Sequence, residues 1–154
     1  IDVGYGQIAY KLRVDERVVV LERTNARHLT SLDEPVELVV VDASFISLTL
    51  LLPAIVQWMT PHGDVIALIK PQFEAGKSEV GKGGVIKDTR VHRRVIREVA
   101  RFAETLDFAV YGLTVSPIKG LKEGNTEFLI WLHRGEDDKA VHLDTVIINA
   151  LEQA

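Results

Sequence analysis

The sequence contains no cysteine. That absence excludes disulfides, thiolate metal sites and a cysteine nucleophile, and it suits a reducing, cytoplasmic setting. A long apolar run is missing as well. The most hydrophobic stretch, "LTLLLPAIVQWM" over 48–59, is interrupted by Pro53 and falls short of the roughly 20 residues needed to cross a bilayer. No membrane partner is therefore expected. No secretory signal pattern is visible in a chain that opens at Ile1. Repeats, linkers and low-complexity tracts are also lacking, so residues 1–154 read as one domain. What remains is globular in composition, 47% apolar and 26% charged.

Negative charge dominates overall, at −4, which argues superficially against a nucleic-acid partner. Its distribution argues the other way. Residues 76–101 carry Lys77, Lys82, Lys87, Arg90, Arg93, Arg94, Arg97 and Arg101 against only Glu79, Asp88 and Glu98. That segment is +5, which leaves −9 for the remainder. Segregation of this kind is the footprint of a phosphate-binding surface, although a solvated basic helix face reads the same way.

Short β-branched runs alternate with helical patterns. "RVVVLE" (17–22), "VELVVVDAS" (36–44), "DVIALIK" (64–70), "FAVYGLTVS" (108–116) and "TEFLIWLH" (126–133) are predicted strands. The stretch between the second and third is predicted helical, capped by Ser44 or Ser47 and kinked at Pro53, with "PHGD" (61–64) as the returning turn. Over 90–106, Val91, Val95, Val99, Phe102 and Leu106 recur at helical spacing behind Asp88 or Thr89, with the arginines off that stripe. A terminal helix is predicted at about 139–152. The expected class is α/β, a Rossmann-like sheet with helices on both faces. Counting Ile1–Val3 gives six strands, one short of a seven-stranded methyltransferase sheet.

The opening "DVGYGQI" admits two readings. It is a cofactor's glycine loop, with Glu22 twenty residues on as the ribose acid. Or Asp2 is itself the ribose acid at a strand end, and Gly4 and Gly6 only permit a tight entry into a helix over 7–13. The second accommodates the uncounted strand and is preferred.

Five stretches, "DVGYGQIAYKLR" (2–13), "VVVLERTNARHL" (18–29), "VVVDASFISL" (40–48), "IKPQFEAGKSEVGKGGVIKD" (69–88) and "GNTEFLIWL" (124–132), occur in one order over most of the chain. Together they resemble the hemolysin-A (TlyA) family of FtsJ-like ribosomal RNA 2′-O-methyltransferases. The resemblance implies a Rossmann-like fold that binds S-adenosylmethionine and methylates ribose 2′-hydroxyls, with ribosomal RNA or ribosomal subunits as partners. Of the family's Lys-Asp-Lys-Glu catalytic set it carries over Asp42, Lys70 and Glu127. It assigns the cofactor's ribose to Asp2 and its adenine to Asn25, Ala26 and Arg27, with Asp42 available for the amino group. The family's N-terminal S4-type domain, its glycine-rich loop and its first lysine have no counterpart in the sequence, so the domain is expected to be N-terminally incomplete.

The chemistry stands apart from the name. A ribose hydroxyl is a poor nucleophile, so methyl transfer needs in-line placement and a group that removes or directs the hydroxyl proton. Lys70 sits at the carboxyl end of a predicted strand, where α/β sheets bind ligands. Each residue also has a plainer reading: Lys70 paired with Glu74, Asp42 as a helix cap, Glu127 solvated, Asn25 as a turn residue. Lys77, Lys82, Lys87, Arg90, Arg93, Arg94 and Arg97 are expected to contact RNA phosphates, which gives affinity without sequence choice. His28, His62, His92, His133 and His142 lack ligand spacing, and no metal site is expected. The alternative is a non-catalytic RNA-binding module or a hemolysin-like protein on the same fold. No lytic amphipathic segment is visible, and no G-x-G-x-x-G follows a strand to support a dehydrogenase.

Overall fold

The computed structural model describes residues 1–81, 83–119, 124–135 and 139–154. The opening segment contains one helical turn, α1 (Tyr10–Arg13), and a 3-10 turn at Ala26–His28. The sheet begins at β1 (Val36–Val41), followed by α2 (Leu48–Trp58) and β2 (Met59–Ile69). A short α3 (Pro71–Glu74) leads into α4 (Thr89–Glu104), then β3 (Phe108–Val115), β4 (Phe128–Arg134) and α5 (Leu143–Glu152). The strand order is β1-β2-β4-β3. β1 and β2 are parallel, as a crossover through α2 requires, and β4 runs antiparallel to both its neighbours. The β3–β4 unit therefore folds back so that the last strand inserts beside β2.

One core joins α2, α4 and α5 to a single face of the sheet. Leu52 and Ile55, Val95 and Val99, and Ile147 meet Val65, Ala67 and Ile69 of β2 and Phe128, Ile130 and Leu132 of β4. The period of two along β2 and β4 puts alternate residues on the other face, where Trp131 of β4 and, across β2 from it, Leu38 and Val40 of β1 are exposed. The α/β architecture follows the sequence; among the described residues, the three longest helices share one layer.

Several element predictions need correction. Residues 17–22 and 1–3 are not strands of the sheet. They run side by side through Asp2 N–H to Leu21 O at 2.9 Å and Thr24 N–H to Asp2 O at 3.0 Å, without reaching the edge of β1. A strand is defined by its neighbour, and β-branched residues alone do not supply one. "PHGD" is not a free turn but part of β2, where the register slips: Val36 faces Met59, whereas Leu38 faces Asp64. Gly63 sits in that irregularity, and a Cβ there would stand 2.8 Å from the Glu37 carbonyl oxygen.

The helix signals held. Ser47 caps α2, its hydroxyl accepting from Thr49 N–H, and Asp88 caps α4 by accepting from Arg90 N–H. Pro53 lies inside α2 without ending it. The buried stripe of α4 is His92, Val95, Ile96, Val99, Ala100 and Ala103, with Val91 and Phe102 partly buried at its margins.

Candidate active site

Asp42 immediately follows β1 and Lys70 immediately follows β2. Because those strands are parallel neighbours in register, Val41 facing Ala67, both side chains emerge at the same carboxyl edge. Lys70 Nζ forms an ion pair with Asp42 Oδ1 at 2.6 Å and donates to Ser44 Oγ at 3.1 Å. The lysine side chain is 12% exposed and the aspartate 68%, so the pair points from the sheet edge into an opening.

Glu127 arrives from the other direction. β4 is antiparallel to β2 with Phe128 facing Ile69, which sets Glu127, one residue before β4, beside Lys70. Its carboxylate is buried and accepts from Gln72 Nε2 at 2.9 Å. Asp42, Lys70 and Glu127 line one cavity of about 740 Å³ with Gln72, Phe73 and Asn125. The structure thus brings all three sequence-predicted catalytic candidates together.

The plainer reading of Lys70 does not hold, because Glu74 is engaged elsewhere. Its carboxylate accepts from Ser47 Oγ at 2.6 Å and from Leu48 N–H at 2.9 Å, closing the start of α2. Burial pushes the Glu74 carboxyl above its ordinary pKa, and these two hydrogen bonds oppose that shift. Nor does the Asp42 carboxylate cap α2, whose cap is Ser47. Glu127 is not solvated.

A second cavity of about 630 Å³ adjoins the first, and Asp42, Ser44 and Phe45 line both. Its far wall is Asp2, Asn25 and Ala26, and its floor includes Leu51, Ile55 and Trp58. Asp2 Oδ1 accepts from Gly4 N–H, leaving Oδ2. Asn25 Oδ1 accepts from Arg27 N–H, so its turn role is real, but the residue also faces the cavity. Arg27, exposed on that turn, does not line the cavity. Glu22, the acid of the first reading of the opening, is committed: it grips Arg13 through two contacts of 3.0 and 2.8 Å and accepts from Gly6 N–H. Those bonds hold its carboxyl below the usual range, the arginine contributing most.

Lys77, Lys87, Arg90 and Arg93 are exposed, and Arg94 and Arg97 are half-buried. Lys82 lies outside the described residues. Much of the positive charge is matched: Arg90 by Asp88 at 2.8 Å, Arg94 by Glu79 and Glu98, and Arg97 by Asp144 of α5. Arg93 makes no ion pair among the described residues. The arginines of α4 still line a shallow cleft of about 550 Å³ on its outer side. Among the described residues, no three His, Asp or Glu side chains form a group able to hold a metal ion.

Four site residues escaped the sequence reading: Ser44, placed only as a helix cap, and Gln72, Phe45 and Phe73. Phe45 is 89% exposed, adopts φ +65°, and tilts against Phe73 with ring centroids 4.9 Å apart. A phenylalanine three residues after the strand-end Asp42 was the available signal.

The family model for FtsJ-like methyltransferases matches residues 1–134. The chain belongs to the FtsJ-like methyltransferase family. A 16S/23S rRNA (cytidine-2′-O)-methyltransferase, TlyA, of Mycobacterium tuberculosis is 49% identical over 142 residues, 91% of this chain and 52% of that protein. Hemolysin A of Brachyspira hyodysenteriae is 39% identical over 132 residues, 84% of this chain and 55% of that protein. A crystal structure of a candidate hemolysin from Lactococcus lactis superposes with a TM-score of 0.87 at 41% identity, covering 99% of this chain and 74% of that one. The FtsJ-like chain spans about half the length of the curated relatives it matches.

Proposed function

We propose that this FtsJ-like chain is the methyl-transferring part of an S-adenosylmethionine-dependent enzyme that methylates ribose 2′-hydroxyls of ribosomal RNA. One observation carries the reading: two cavities meet at Asp42–Phe45, and Lys70 projects at the junction from one strand end. A two-substrate transfer needs such a junction, with one site for the methyl donor and one for the acceptor.

The Asp2 cavity suits the donor. Its free carboxylate oxygen matches vicinal ribose hydroxyls, and Ala26, Ile55 and Trp58 offer an apolar slot for a purine. When bound there, S-adenosylmethionine supplies an electrophilic methyl on a sulfonium. We place the incoming ribose in the Lys70 cavity. There Lys70, held by Asp42 and Ser44, directs the 2′-hydroxyl and its departing proton, and Glu127, held by Gln72, closes the far side. Phe45 over Phe73 gives an unstacked base an aromatic surface at the rim. Exposed Lys77, Lys87 and Arg93 add phosphate contacts.

Residues 1–154 make up most of this domain in our reading. The protein acts in the cytoplasm, where ribosomal RNA is available; no described helix is long and apolar enough to cross a membrane. Incubating the native protein with labelled S-adenosylmethionine and ribosomal RNA tests the proposal. Label should appear as alkali-resistant ribose methylation; label on bases, or none, would contradict it. A non-catalytic RNA-binding module would bind the RNA and transfer nothing.

A further inference from the structure

A buried asparagine outside the proposed catalytic set ties two parts of the Lys70 cavity together. Asn125 is 5% exposed. Its Oδ1 accepts from Ile86 N–H at 3.0 Å, and its Nδ2 donates to Gly84 O at 2.9 Å. Both ends of the amide are therefore used, on backbone groups some forty positions earlier in the chain. Ile86 is anchored twice more: its side chain is buried, and its carbonyl lies 3.1 Å from His92 Nε2 of α4. His92 is itself buried, edge-on to Phe128.

What Asn125 holds is a wall of the cavity. Val80, Gly83 and Gly84 line it across from Lys70. Gly83 and Gly84 have φ +88° and +83°, a left-handed pair that any side chain would strain. A Cβ on Gly84 would meet nothing within 4 Å, so glycine is required there by conformation and not by crowding. Without a partner from Asn125, Ile86 N–H and Gly84 C=O lose their bonds, and the turn is left with its internal bond from Gly84 N–H to Gly81 O at 3.0 Å. The same asparagine stands two residues before Glu127, whose carbonyl accepts from Ser116 N–H at 2.8 Å.

We infer that Asn125 is a positioning residue. It fixes the side-chain-free Gly83–Gly84 wall so that a ribose–phosphate backbone can lie against it, and it anchors that wall to the segment that presents Glu127. The inference rests on the reading of this cavity as the RNA-side cavity. Its first test needs no activity. In the native protein the Ile86 amide should exchange with solvent as slowly as the Val65 and Ile130 amides of the sheet. In Asn125→Ala it should exchange at least about tenfold faster, with the sheet amides unchanged.

Kinetics complete the test. Asn125→Ala should raise the KM for ribosomal RNA by about tenfold and leave S-adenosylmethionine affinity unchanged. Asn125→Asp keeps the acceptor for Ile86 but loses the donor to Gly84, and should fall between the two. Fast Ile86 exchange in the unaltered protein would overturn the clamp. A released Ile86 with unchanged KM in either variant would overturn the positioning role. If no RNA is methylated at all, the exchange result stands and only the RNA assignment fails.

Discussion

Glu74 and His92 show how burial at single residues produces measurable pH behaviour. Glu74 is raised by desolvation, so the folded protein favours its protonated form. Stability tied to it is complete below the ordinary value of 4.5 and is lost as pH climbs through the raised one. Glu74→Gln should remove that loss, whereas Glu74→Ala should cost about 1–2 kcal/mol by orphaning the start of α2. Denaturant melts from pH 4 to 8 check both. His92 shifts the opposite way, because burial disfavours its cation. Its contribution is complete above the ordinary value of 6.5 and is lost as pH falls through the lowered one. His92→Gln should flatten that acid-side slope in the same melts, and an unchanged slope would rule out His92 as its source.

At the scale of elements, local signals read best where they were chemically complete. Asp88 before a helical stripe and Ser47 before "LTLLL" both cap as read. Signals that depend on a neighbour read worst: 17–22 has strand residues, yet no strand of the sheet lies beside it. "PHGD" has turn residues, yet the pull of the β1 pairing keeps it within β2. Pro53 is the instructive case. Exposed on the outer side of α2, it removes one backbone donor without ending the helix. Pro53→Ala should therefore stabilise the protein, by about 1–3 kcal/mol. Thermal denaturation measures this, and a lower melting temperature would mean that the proline is needed for the path of the chain.

Over the whole molecule, charge and topology divide the work. The +5 of the segment seen in the sequence already subtracts its own acids, which meet Arg90 and Arg94 in the fold, and from outside the segment Asp144 takes Arg97. Sequence could not show that, because Asp144 comes from a distant helix. The surplus left for RNA is correspondingly smaller. RNA affinity should fall with added salt, and Arg93→Ala should reduce the logarithmic salt slope by roughly one. A slope unchanged by that substitution would place the phosphates elsewhere.

The meeting of Asp42, Lys70 and Glu127 was legible only through motif order, because strand register decides it. Parallel β1–β2 aligns the first two, and antiparallel β4 returns the third to the same edge. Their supports, Gln72, Ser44 and Asn125, were not legible as supports, since each acts through a contact far away in sequence.

The most direct measurement is methyl transfer to ribosomal RNA by the native protein and by Lys70→Met, with S-adenosylmethionine binding followed in parallel. The expected result is transfer reduced at least about a hundredfold with donor binding retained. Transfer by Lys70→Met at the unaltered rate would contradict the account.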